Sequence, residues 1–214
     1  MADDSDPTSL PSHLSGLPTL DDADFVLDGL SNDELRQLPI AVNNLQFELD
    51  VAATPGGTRY LILGSYDMPQ SDRAGPKDRL VEAQDCLENL DQRCTAVLLE
   101  DLDPDNDDWR NFYVKFRYTM ATTDFTVLVA EDNDGGHELE LGEATLSETY
   151  VAKRDYRHAS VDKDLEYEKY DAMISTLFKL MDRRGHLFEW RTPAEFRDAI
   201  EQISTETRGK TTRS

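Results

Sequence analysis

Apolar residues in this chain gather into five short runs, and each run is followed by apolar positions spaced by three and four. The runs are Tyr60 to Gly64, Thr95 to Leu99, Phe125 to Ala130, Thr149 to Ala152 and His186 to Trp190. Phe125 to Ala130, short, apolar and β-branched, predicts a strand buried on both faces, and the other four runs predict further strands. Between them the period changes to that of a helix. Pro76 suits a first helical position, and Leu80, Ala83, Leu87 and Leu90 then mark one face. Phe112, Phe116 and Met120 predict a helix over 109–122, and a further helix runs from His137 to about Leu146. The longest helix is expected over 164–184, with Gly185 as its C-cap. Thr192 and Glu195 have the spacing of a capping box and open the last helix.

Five strands alternating with helices predict an α/β fold, a mostly parallel sheet covered by helices on both faces. The strand count favours the flavodoxin-like order 2-1-3-4-5, plus an N-terminal extension. Residues 1–20 read as a disordered acidic tail, 59–204 as the Rossmann-like α/β domain and 205–214 as a polar tail. Residues 21–58 form the extension. Ser31 is expected to cap a short helix there, and the alternation in 45-LQFELDV-51 predicts a half-exposed strand, favoured as an edge addition to the sheet, with a hairpin to the next strand or a separate N-terminal lobe as the alternatives.

Charge alters this picture at the surface only. Asp and Glu number 44 against 22 Lys and Arg, and the net charge is −22. Only seven of the basic residues are Lys. Such a composition resembles proteins of salt-loving organisms, haloarchaeal ones among them, where high ionic strength screens the self-repulsion. It argues against a nucleic-acid partner, because no basic patch offsets phosphate repulsion. No apolar stretch approaches the ~20 residues of a membrane span. The acidic, proline-broken N-terminus does not read as a signal peptide, so a cytoplasmic location is expected. Cys86 and Cys94 lack a framework or metal-type spacing and are expected to be reduced and structural.

The stretch 125–144 carries the most chemistry. After the apolar run come Glu131 to Asp134, then Gly135 and Gly136, then a helix start. An unpaired acid does not stay in a core, so the strand is expected to leave it there. In the order 2-1-3-4-5 the switch point lies between the first and third strands, where ligands bind beyond the strand ends. Gly64, Ser65, Tyr66 and Asp67 at one exit and Asp132, Gly135 and Gly136 at the other therefore converge on one crevice. Arg154 stands at the exit of the fourth strand. Asp103, Asp105 and Asp107 mimic the start of a calcium loop, but Asp108 stands where glycine is required and Val114 where the bidentate Glu belongs. The loop from Asp132 has His137 at the glycine position. His137 and Glu140 lie one turn apart with no other His or Cys nearby, so no metal site is expected. Glu140 lies among Leu139, Leu141 and Gly142, a setting that raises a carboxylate pKa.

The strand, the turn and 135-GGHELELGEA-144 resemble the "E-L-G" segment of TIR-like domains and of nucleoside 2-deoxyribosyltransferase-like proteins, over about residues 59–150. Tyr60 to Gly64 with Ser65 and Tyr66 resembles their first strand and nucleotide-binding loop. The resemblance implies that Glu140 is a catalytic carboxylate facing a ribose C1′, helping to cleave an N-glycosidic bond of NAD or another nucleotide. A carboxylate there stabilises or captures an oxocarbenium-like state. On that reading Asp67 or Asp132 holds ribose hydroxyls, the amides of Gly64 and Gly136 with Ser65 line a phosphate, and Arg154 pairs with its charge. The bland reading of Arg154 is an ion pair with Asp155 or another acid. The loop after the first strand carries no second catalytic group. A non-catalytic interaction or sensor module of the same fold, with a protein partner, is the alternative. A receiver-like domain using Asp67, Asp132 and Lys153 comes third.

Overall fold

The computed structural model describes residues 30–53, 55–66, 75–104, 111–131, 144–156, 170, 172–208 and 210. Its five strands are β1 (Arg59–Gly64), β2 (Thr95–Leu98), β3 (Phe125–Ala130), β4 (Thr149–Arg154) and β5 (Leu187–Trp190). They form one sheet in the order β2-β1-β3-β4-β5, with every pair parallel. This is the order expected from the sequence. All six residues of β3 are buried, as a central strand covered on both faces requires.

Side-chain alternation along the strands divides the core in two. Leu61, Leu63, Leu128, Ala130 and Val151 point to one face, and Tyr60, Ile62, Val127, Val129, Tyr150 and Ala152 to the other. Helices α1 (Asn32–Ala52), α3 (Phe112–Thr122) and α4 (Ala172–Arg183) pack on the first face. Helices α2 (Pro76–Leu90) and α5 (Pro193–Thr207) pack on the second.

The largest departure from expectation is α1. Residues 45–51 do not form an edge strand; they continue a helix that begins at Asn32. Its start is fixed by a reciprocal cap: the Glu34 carboxylate accepts the Ser31 N–H at 2.8 Å, and Ser31 Oγ accepts the Glu34 N–H at 3.3 Å. Leu38, Ala41, Val42, Leu45 and Leu49 then follow helical spacing into the core. Burying each large side chain contributes roughly 1.5–3 kcal/mol, which outweighs the local alternation.

Other boundaries shift less. β4 continues through Arg154 because Lys153 and Arg154 pair with Glu189 and Trp190 of β5. Leu146, expected at the end of a helix, instead lies in the turn 146–148, closed by the Glu148 N–H on Thr145 O. α4 ends as predicted at Gly185, with φ of +71°: the Gly185 and His186 N–H groups donate to Asp182 O and Met181 O. α5 opens with the predicted Thr192–Glu195 capping box and runs past residue 204 to Thr207. Thr207 is fully buried, and its hydroxyl lies 2.6 Å from Tyr60 Oη, so 205–207 belong to the packed domain.

Candidate ligand-binding crevice

β1 and β3 are neighbours, with Gly64 opposite Val129. Their carboxyl ends therefore lie side by side, at the place where the strand order 2-1-3-4-5 has its switch point. Gly64 is fixed there by packing. Its φ is +153°, and a Cβ would stand 2.7 Å from Val129 O and 2.8 Å from Leu80 Cδ2. Ser65 is buried behind it, and Tyr66 packs partly into the α2/α5 layer.

β3 ends at Ala130, and Glu131 follows as a buried carboxylate. Burial is tolerated because the charge is paired. Arg154 Nη1 lies 2.9 Å from Glu131 Oε2, and Arg79 Nε lies 3.8 Å from Oε1. The register explains the first contact: Ala130 faces Lys153, so the next residues on β3 and β4 are Glu131 and Arg154. Arg79 comes from the first turns of α2, which the right-handed crossover after β1 returns to this edge. Tyrosines lock the backbone. Tyr156 Oη donates to Glu131 O at 2.5 Å, and Tyr170 Oη donates to Ala130 O at 2.8 Å.

Trp190, at the end of β5, sits between the two arginines. The guanidinium carbons of Arg79 and Arg154 lie 5.7 and 5.3 Å from its ring centre. Its Nε1 donates to Ala152 O at 3.3 Å, and Phe196 meets it edge-on. Arg154 also lies over Tyr156, at 5.2 Å. Arg79 and Arg197 both pair with Glu82. Among the described residues three guanidiniums thus share two carboxylates, Glu82 and Glu131, in a chain of net charge −22. Arg191 is matched separately, with Nε 2.8 Å from Asp155 Oδ2.

Of the residues named from the sequence, Gly64, Ser65, Tyr66 and Arg154 border this edge. Asp67, Asp132, Gly135, Gly136 and Glu140 lie outside the described residues, as do His137 and Asp105 to Asp108. Arg154 has an acidic partner as the bland reading expected, but the partner is Glu131, while Asp155 pairs with Arg191. Arg79, Glu131 and Trp190 were not foreseen as site residues. A signal existed for Arg79, because the first turns of a helix after β1 must stand at the strands' carboxyl edge. Lys153 turns away from the crevice. Its ammonium pairs with Glu189 at 3.2 Å and lies over Tyr170.

Arg154 offers the chemistry of an anion receptor. Its side chain is 39% exposed while one nitrogen is held by Glu131, so a ligand would meet a guanidinium whose plane is already set. The cysteines offer less. Burial pushes both thiols up, Cys86 further under the Glu82 charge, and neither is an activated nucleophile near neutral pH. Among the described residues no group of three or more His, Cys, Asp or Glu could hold a metal ion. Nor is any described helix long and apolar enough to cross a membrane.

No curated protein and no solved structure matches the chain. A family model matches residues 26–175, which span α1 through β4 and the start of α4. The matched segment holds Arg79, Glu131 and Arg154 and stops before Trp190. With 150 of 214 residues matched, the chain belongs to a family of unknown function, DUF8170.

Proposed function

We propose that this chain is a nucleotide-binding α/β domain that receives its ligand's phosphate at the carboxyl edge of β1, β3 and β4. The observation that carries the reading is Arg154, half-exposed at a strand exit and oriented by Glu131, Tyr156 and Trp190. Arg79 adds a second guanidinium on the same carboxylate, and among the described residues here three guanidiniums meet two carboxylates, a balance that favours an anion. Ser65 and Tyr66, at the exit of β1, stand where a nucleotide-binding loop belongs in this strand order. The resemblance of 135–144 to the E-L-G segment supports NAD or a related nucleotide as the ligand, with Glu140 acting on its N-glycosidic bond. The acid-rich composition supports a high-salt working environment.

The test is isothermal titration in molar KCl against NAD, ADP-ribose and a nucleoside monophosphate. Arg154→Ala should weaken binding by about tenfold or more, the loss of one charge-assisted hydrogen bond. Glu140→Gln should keep binding and abolish release of nicotinamide or base. No heat with any of the three ligands, or undiminished affinity in Arg154→Ala, would sink the binding reading. Unchanged product release in Glu140→Gln would remove the catalytic one.

A further inference from the structure

The exposed face of α1 stands apart in this chain. Acids make up 44 of the 214 residues, so a stretch of thirteen should hold two or three. Leu35 to Phe47 holds none. Its outward positions are Arg36, Gln37, Ile40, Asn43, Asn44 and Phe47, and among these Ile40 is 60% and Phe47 68% exposed. Depletion of charge around exposed large apolar groups is the mark of a contact surface. α3 lies beside α1: Glu48 accepts the Asp103 N–H at 3.3 Å, and the buried Lys115 of α3 points to Asp103 O at 3.5 Å. α3 also lacks acids and exposes Phe112 and Tyr113.

We propose that α1 is the contact between two copies of this chain, paired antiparallel about a twofold axis at Asn43–Asn44. Three features select a second copy as the occupant. Ile40 and Phe47 are seven residues apart, two helical turns and about 10 Å, and lie symmetrically about Asn43–Asn44. Antiparallel pairing therefore sets Ile40 of each copy against Phe47 of the other, with the asparagine amides meeting at the centre. The exposed Arg36, paired with Asp33, lies toward one end of the helix and the exposed Asp50, paired with Arg59, toward the other, so the same pairing joins these ion pairs into a network of mixed charge at both ends. Finally, two chains of charge −22 repel, and an acid-free face allows close approach, the more so in salt.

The experiment is sedimentation equilibrium of the full chain in molar KCl, from micromolar concentration upward. The expected mass is about twice 24.3 kDa. Phe47→Glu should halve it, and Ile40→Asp should do the same through an independent position. Val81→Glu, at an exposed apolar site on α2, should leave it doubled. Both disrupting positions face solvent, so far-UV circular dichroism should be unchanged. Asn43→Cys in a Cys86→Ser background should form a disulfide-linked dimer on oxidation, which places residue 43 at the twofold axis. A monomer at every concentration would overturn the proposal. So would a dimer indifferent to both α1 substitutions, or one in which Asn43→Cys does not cross-link.

Discussion

The two helical layers share one sheet and present opposite surfaces. α2 and α5 together carry eight acids against three bases; α1, α3 and α4 carry five of each. Among the described residues, six of the seven large exposed apolar side chains lie on the α1/α3/α4 layer, and only Val81 lies on the α2/α5 layer. Both layers bury comparable apolar clusters. The acid coat is therefore no uniform consequence of composition. One layer is built to be solvated, and the other keeps a neutral surface that another protein can approach.

The comparison holds only if α1 is as integral to its layer as α5 is to the other. Leu45→Ala should cost about 2–5 kcal/mol and Phe196→Ala about 3–5 kcal/mol, each within one cooperative transition in denaturant. An early separate transition in Leu45→Ala, with the main midpoint unmoved, would show that α1 is merely appended. A middle-sized effect should appear in alkali. Both thiols belong to the α2/α5 layer or its margin, and burial raises them above the ordinary thiol range. Their protonated forms are favoured by folding, so this contribution is intact below pH 9 and is lost as pH climbs through the raised values. Melting temperature should fall above pH 9, and replacing Cys86 and Cys94 by Ala should delay that fall. On the other layer, burial lowers the Lys115 pKa, which makes stability rise with pH and partly opposes the loss. The smallest effect concerns salt. Glu201→Lys on α5 should shift stability by no more than about 0.5 kcal/mol while flattening the gain in melting temperature with KCl. Lys179→Glu on α4 should steepen that gain. Equal slopes for the two variants would erase the electrostatic distinction between the layers.

The sheet was legible because runs such as Phe125 to Ala130 have no polar side for water, and because Gly185 and the Thr192–Glu195 box are local signals that tertiary packing does not override. α1 was misread because Leu45, Phe47 and Leu49 alternate. The helical set Leu38, Ala41, Val42, Leu45 and Leu49 runs through the same residues, and Phe47, which completes the false pattern, is the one left in solvent. That the β1 and β3 exits are neighbours was legible, since strand order fixes which exits meet. Its charged centre was not. Glu131, Arg79 and Arg154 are 52 and 23 residues apart along the chain, and only the β3–β4 register and the crossover after β1 bring them together. A sequence in which one residue in five is acidic gives no local reason to single out Glu131.

Trp190 has an optical consequence. It is one of two tryptophans in the chain, sealed from water and flanked by the two guanidiniums that border the crevice. An indole in that position emits at the blue end of its range, and its intensity follows the charges beside it. With Trp109 changed to Phe, the protein would carry a single tryptophan, at the edge of the sheet, that can be excited apart from its tyrosines. Any molecule that draws Arg154 away from the ring would be seen arriving, without a label and in whatever salt the protein prefers.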